Sequence, residues 1–307
     1  MCVLFHSNSR NQKRKRNNKV TKAIVHIIAG PTASGKSARA LTLAQDLGGV
    51  VVNADSMQLY NGLALLTAQP STDDCAVVQH RLYGVLGVHG QTNAVSWRAM
   101  ALKEIREAIE CDLVPVVVGG TGFYLKALME GLSPIPEIPS EVRILAEDLL
   151  ERVGMEDFFE IIREHDPDFA AKADPQNRQR LVRAFEVIQH TGRPMSYWQS
   201  LPLEGAPDDL EFNVEIISPE RDVLYERCNA RFDQMVAQGV VDEVAAFDEL
   251  IEAGKIPPEC PLTHALGFQP LQAYLRGEMD LETAIVLAKN ETRHYAKRQA
   301  TWFRHQM

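Results

Sequence analysis

The stretch Gly30-Pro31-Thr32-Ala33-Ser34-Gly35-Lys36-Ser37 fits G-x-x-x-x-G-K-[ST], and its surroundings decide the fold. Ahead of it, residues 23–29 (AIVHIIA) form a continuous apolar run of strand length. Behind it, residues 36–47 carry a helical pattern that Gly48-Gly49 closes. A strand, a glycine-rich loop and a helix in that order make a phosphate cradle. The glycines let backbone N–H groups point at phosphate oxygens, Lys36 supplies a point charge, and the Ser37 hydroxyl is placed to hold Mg²⁺. The loop predicts a nucleotide- or diphosphate-binding site at the mouth of the first strand.

Outward from this loop, strand-like runs recur at 50–52, 82–86, 114–118 and 212–217, with helical stretches between them. That alternation predicts an α/β fold, a P-loop parallel sheet core flanked by helices, with ligands outside the carboxyl ends of the strands. Between 134 and 207 the strand signal vanishes. The segment opens with Pro134, Pro136 and Pro139, continues in helical patterns and ends in a loop holding Pro202, Gly205 and Pro207, which reads as an inserted all-helical lobe. The expected organisation is a disordered basic tail over 1–22, the first part of the core over 23–133, the helical insertion over 134–207, and a return strand with C-terminal helices over 208–307. In the last part, Ser218-Pro219 reads as N-cap and first turn of a helix through Met235.

With 307 residues, 45% hydrophobic and 24% charged, the chain can bury one substantial core and a second unit. No apolar run approaches the roughly 18 residues of a membrane span and no signal peptide is recognisable, so a cytoplasmic protein without a membrane partner is expected. Five scattered cysteines (Cys2, Cys75, Cys111, Cys228, Cys260) suit neither a zinc site nor a disulfide framework. Net charge is −9, yet residues 1–22 hold seven Lys or Arg and no acid, a composition that suits a solubilising tail or an RNA-attracting arm.

Chemistry is expected just past the strand runs. Asp55, in DSMQLY, shares a crevice with the phosphate loop. Three uses stay open on these residues alone: holding Mg²⁺ through water, acting as general base on an acceptor, or capping its own turn. The run over 114–118 leads into Gly119-Gly120-Thr121-Gly122, with no Asp where an ATPase places its metal-holding carboxylate. Such a strand end admits something bulky beside a neutral hydroxyl, or else Thr121 is a helix N-cap. Within 172–193, five basic residues (Lys172, Arg178, Arg180, Arg183, Arg193) face two acids (Asp174, Glu186), with Leu181, Phe185 and Ile188 as an apolar stripe. That imbalance points to a phosphate-backbone contact or a solvated face. The last helix repeats it with Lys289, Arg293, Lys297, Arg298 and Arg304 around Trp302 and Phe303, rings that suit nucleic acid or core. Arg221 and Arg231 share one helix face with Leu224 and Cys228 and could reach one anion, or pair with local acids.

Taken together, GPTASGKS, DSMQLY, TAQP, HRLYGV, VVVGGTGFYLKAL, GLSPIP, DPQNRQRLVRAFEV, SPERDVLYERCNARFDQM and AKRQATWFR closely resemble the tRNA dimethylallyltransferase family, in matching order from about residue 23 to 304. The resemblance implies transfer of a dimethylallyl group from dimethylallyl diphosphate to N6 of the adenosine immediately 3′ of the anticodon. It implies that the loop from Gly30 to Ser37 grips the diphosphate and its Mg²⁺, with Arg231 adding charge and Asp55 taking the amine proton. Asp55, Ser56, Met57, Gln58, Thr121, Arg143, Gln179, Arg180, Leu181, Val182 and Arg183 would contact the tRNA anticodon stem-loop, the protein acting as a monomer. The stretch THALGF over 263–268 departs from the family pattern at Thr263-His264 and is followed by Gln269. TAQP varies from TAKP, and Leu66 stands where Gly commonly precedes it. Competing readings are a prenyltransferase acting on free adenine nucleotides, a small-molecule P-loop kinase, and an RNA-binding protein with a vestigial loop. The strand end without Asp opposes the kinase, and the long basic insertion favours tRNA.

Overall fold

The computed structural model describes residues 22–307. The expectation for the tail over 1–22 therefore lies outside the described residues, apart from the exposed Lys22. Five parallel strands form the main sheet: β1 (Ala23–Ala29), β2 (Gly49–Asn53), β3 (His80–Arg81), β4 (Val114–Gly119) and a late strand, β7 (Leu210–Ile216). Their order is β3-β2-β4-β1-β7, so β1 lies between β4 and the last strand, with Ile27 opposite Val117 on one side and Val214 on the other.

Period-2 burial explains the two covered faces. Ile28, Val51, Val116 and Val118 pack under α1 (Lys36–Leu47) through Ala40 and Ala44, near the short α2 (Thr72–Val77). Val25, Ile27, Ala29, Val52 and Val117 face Trp97, Ala101 and Ile105 of α3 (Ala94–Glu110) and Leu125 of α4 (Gly122–Glu130). The α/β sheet core flanked by helices thus stands as the sequence predicts.

The third strand differs. It occupies His80–Arg81, because Leu82 turns into the left-handed region (φ 63°) and ends it. The expected run over 82–86 instead lies along the loop after β2, where Gly84 N–H donates to Gln58 O at 2.9 Å and Leu86 N–H to Leu59 O at 2.9 Å.

Residues 133–203 leave and re-enter the core through a two-stranded antiparallel ribbon, β5 (Gly131–Leu132) with β6 (Glu204–Gly205). Arg98 of α3 latches this neck, its guanidinium donating to Ala127 O at 2.9 Å and to Gly205 O. Beyond the neck stand α5 (Ser140–His165, broken at Gly154), α6 (Pro167–Ala170), α7 (Arg178–Thr191) and α8 (Met195–Ser200). They have their own core of Leu150, Phe158, Ile162, Phe169, Leu181, Val182 and Val187. The buried Asp166 accepts from Phe169 N–H at 3.1 Å and Ser196 N–H at 2.9 Å, tying α6 to α8.

After β7 come α9 (Arg221–Ala237), α10 (Val240–Glu252), a 3₁₀ turn at Pro261–His264, α11 (Phe268–Leu275) and α12 (Leu281–Gln306). The first of these starts at Arg221 with Glu220 as N-cap, later than the Ser218-Pro219 signal suggests. No helix among the described residues is long and apolar enough to cross a membrane.

Candidate active site

The phosphate loop is built by backbone conformations that few sequences tolerate. Gly35 sits at φ 96° immediately before α1, and Ala33 is left-handed at φ 60°. Ser34 N–H closes the turn on Pro31 O at 3.2 Å, while the Ser34 hydroxyl is buried with no hydrogen-bond partner in the protein. A buried hydroxyl left open in a cradle of amides has the chemistry of a ligand-binding group. The Lys36 ammonium is also buried and donates to Pro31 O at 3.2 Å. Burial pushes its pKa down to about 8, against the attraction of Asp55 and with the repulsion of Arg231. Ser37 opens α1 with its side chain exposed.

Asp55 follows β2 and is held through its backbone by the fully buried Asn53. The Asn53 amide accepts from Asp55 N–H at 2.8 Å and donates to Asp55 O at 3.0 Å and Leu82 O at 2.9 Å. Trp97 Nε1–H in turn donates to Asn53 O at 3.0 Å. Asp55 Oδ1 accepts from Met57 N–H at 3.0 Å, which is the turn-capping use, and among the described residues no donor is bonded to its Oδ2. Thr121 Oγ1 accepts from Ser56 N–H at 3.1 Å, and Thr121 N–H donates to Ala54 O at 3.2 Å. Thr121 stands at the N-cap position of α4, yet its hydroxyl caps nothing in that helix and serves the Asp55 turn instead. Gly119 is glycine because a Cβ there would lie 2.1 Å from Ala54 O. Gln58 spends its amide on Thr67 O and Ala68 O at 2.9 and 2.8 Å, so it braces the neighbouring loop.

Asp55, Ser56, Met57 and Thr32 line one side of a cavity of about 220 Å³. Arg231, Cys228, Phe232 and Met235 of α9 line another, with Leu66, Thr67, His264, Ala265, Leu266, Tyr295 and Arg298 completing it. Its lining therefore combines ionic groups, Asp55, Arg231 and Arg298, with apolar ones, Leu66, Phe232 and Met235. Burial pulls the Arg231 guanidinium below its ordinary pKa while Asp55 opposes that pull, and burial raises the Tyr295 phenol, aided by Asp55. The Leu65-Leu66 wall is pinned from α10 by Glu243, whose two oxygens accept from Leu65 and Leu66 N–H, each at 2.8 Å.

The pairing of Arg221 with Arg231 on one ligand does not hold. Arg221 lies over the Tyr225 ring, 5.1 Å from its centroid, at the exposed start of α9. The arginine that joins Arg231 near the loop is Arg227, which donates to Ser34 O at 3.0 Å. In α12, Phe303 is core, and Trp302 packs where a Gly122 Cβ would meet its ring.

On the lobe, Gln179, Arg180 and Arg183 are exposed on the first turns of α7, and Arg143 is exposed near the start of α5. Leu181 and Val182 belong to the lobe core, so their side chains are turned away from any RNA. The basic surface is also more balanced than the local sequence suggests. Arg183 donates to the buried Glu186 of its own helix at 2.8 Å, Arg143 to Glu147 within α5 at 3.0 Å, and Arg178 lies 3.6 Å from Glu151 across the α5–α7 contact. Arg180 and Arg193 instead lie over the rings of Phe169 and Tyr197.

Among the described residues no three His, Cys, Asp or Glu side chains cluster as a metal cage. A hard cation carried on phosphate oxygens and water needs none, and the Ser37 hydroxyl at the helix start fits that role.

The family model described as IPP transferase matches residues 58–306, and one described as isopentenyl transferase matches 23–85. A tRNA dimethylallyltransferase of Paramagnetospirillum magneticum is 50% identical over 281 residues, covering 92% of this chain and 88% of that protein. One from Rhodospirillum centenum is 47% identical over 283 residues, covering 92% and 89%. Among solved structures, the full-length tRNA isopentenylpyrophosphate transferase of Bacillus halodurans has a TM-score of 0.63 at 32% identity, covering 93% of this chain and 88% of that one. A eukaryotic dimethylallyltransferase acting on tRNA reaches 0.76 at 25% identity, covering 92% and 70%. With a phosphate loop, a facing carboxylate and a family model spanning most of its length, the chain belongs to the IPP transferase family.

Proposed function

We propose that this protein transfers a dimethylallyl group from dimethylallyl diphosphate to N6 of the adenosine immediately 3′ of the anticodon in tRNA, releasing diphosphate. One observation carries the reading: a single small cavity beside the phosphate loop is lined both by ionic side chains, Asp55 and Arg231, and by apolar ones, Leu66, Phe232 and Met235. A donor with an anionic head and a five-carbon tail matches both kinds of lining.

In this reading the N6 lone pair attacks the allylic carbon, the carbon–oxygen bond breaks with its electrons to diphosphate, and the N6 proton passes to Asp55 Oδ2. Lys36, Arg231 and the loop amides stabilise charge that grows on the leaving group. Mg²⁺, held by the Ser37 hydroxyl and the diphosphate, would add Lewis-acid neutralisation of that charge. Thr121 fixes the backbone after Asp55, so that the carboxylate meets the amine without reorganising. The target adenine has to leave its stack to reach this depth. Arg143, Gln179, Arg180 and Arg183 lie on the exposed face offered to the RNA backbone.

The test is to incubate the protein with dimethylallyl diphosphate, Mg²⁺ and unmodified tRNA, and to analyse the released nucleosides by mass. One prenyl group gained on adenosine is expected. Hydrolysis of ATP with no prenyl transfer would overturn the reading.

A further inference from the structure

The site contains one buried side chain that touches both halves and that the proposed chemistry does not use. Gln299 reaches in from α12 and is 6% exposed. Its Oε1 accepts from Thr32 N–H in the phosphate loop at 2.8 Å, and its Nε2–H donates to Gly120 O at the end of β4 at 2.8 Å. The orientation of the amide is fixed by its partners, an N–H on one side and a carbonyl on the other. Gly120 carries no side chain because a Cβ there would lie 2.3 Å from Gln299 Nε2 and 3.3 Å from Gly30 O. The loop and the turn therefore approach each other closely, and this amide fills the contact.

The next links run onward from Gly120. Thr121 N–H binds Ala54 O, and Thr121 Oγ1 receives Ser56 N–H, which brackets Asp55. A continuous path of hydrogen bonds, linked through the Gly120–Thr121 peptide, thus joins Thr32, beside the anion site, to the turn that carries the base. We infer that Gln299 is a positioning residue, one that sets the distance between the diphosphate loop and Asp55 and so holds donor and acceptor in reacting register. The inference rests on the function proposed above and adds a residue to which that function gives no role. Only a side chain of this length with both a donor and an acceptor at its tip satisfies both neighbours. Leucine has neither, and an ionised glutamate keeps the acceptor for Thr32 but turns a second acceptor on Gly120 O. A protonated glutamate, by contrast, reproduces the amide's donor and acceptor.

The test uses full-length parent, Gln299→Glu and Gln299→Leu, with kcat and the KM of each substrate measured from pH 6 to pH 9 with dimethylallyl diphosphate and anticodon stem-loop RNA. A positional error on the ångström scale lowers kcat by on the order of 100-fold. The Leu variant is expected to lose about that much and to raise the donor KM, since the loop is no longer tethered. The Glu variant is expected to keep a donor KM near the parent's, lose kcat at high pH, and regain it relative to the parent as pH falls. Taking the ratio at each pH removes the pH dependence that both proteins share from the charged and titratable groups around the site, among them Lys36, Asp55, Arg231, Tyr295 and Arg298. Should the Leu variant fail to fold, the Glu variant carries the test alone. A Glu variant whose ratio to the parent is flat across pH, whether unimpaired or uniformly impaired, overturns the inference. A parent that transfers no prenyl group overturns the proposed function instead.

Discussion

Replacing Asp55 with Asn isolates the proton-accepting role from every structural one. The Asn side-chain oxygen can still accept Met57 N–H, which Asp55 Oδ1 does at 3.0 Å, and the backbone of residue 55 stays clasped by Asn53. Stability should therefore move by no more than about 0.5 kcal/mol, as for substitutions that break no buried contact. What disappears is a general base, a loss of roughly 10²- to 10⁴-fold in kcat, or about 3 to 5 kcal/mol of barrier. A second effect follows from the neighbour. Asp55 is the main charge opposing the burial that holds Lys36 down near 8, so its neutralisation lowers the lysine further. Asp55→Asn should then show a donor KM close to the parent's at pH 6.5 and a raised one at pH 8. Single-turnover transfer from labelled dimethylallyl diphosphate to anticodon stem-loop RNA gives the rate, filter binding gives RNA affinity, and urea unfolding gives stability. A transfer rate within about fivefold of the parent, far short of the loss expected for a general base, would refute the assignment.

Three further outcomes are expected. In the proposed reading the charged form of Lys36 grips the diphosphate, and burial holds its pKa down to about 8, so kcat/KM for the donor should fall as pH rises through that value; a flat profile would contradict it. Because that value lies below the ordinary lysine value of about 10.5, the unfolded chain binds the proton more tightly. The lysine therefore opposes folding at pH 7, and stability should rise with pH between about 8 and 10.5. Lys36→Met should lose transfer yet resist urea better at pH 7 by on the order of 2 kcal/mol, without that rise. Gly119→Ala places a Cβ 2.1 Å from Ala54 O and 2.3 Å from its carbon, backbone atoms that cannot swing away. It should destabilise by more than about 3 kcal/mol, seen as a lower urea midpoint, and an unchanged midpoint would show that the strand ends are looser than described.

Elements with a strong local signal were legible in the sequence. The helix over 36–47 follows from its two flanking glycine signals, and β1 and β4 from continuous apolar runs that both faces bury. The third strand was not, since Leu82 and its neighbours look like strand residues but the chain reverses handedness at Leu82. The neck ribbon was missed because two-residue strands carry no periodicity. At the site, the motif residues are readable as types in order, and the structure gathers the loop, Asp55, Thr121 and Arg231. Gln299, Asn53 and Arg227 were not readable, because their roles lie in contacts such as the 267-residue separation between Thr32 and Gln299. Arg221 illustrates the converse: helical spacing put it on a face, but the face leaves the site before reaching it.

The position of β1 between β4 and β7 has a consequence for synthesis. Its first partner is complete once Gly119 has been made, whereas its second ends at Ile216, on the far side of the helical insertion. At roughly 5 to 20 residues per second, about 5 to 20 s separate the two events on the ribosome. During that interval the strand leading into the phosphate loop has one bare edge while the insertion can already assemble its own apolar interior. Conditions that slow elongation across 120–210 lengthen the exposure of that edge, so yield of soluble protein should track translation speed over this stretch more than over the last helices.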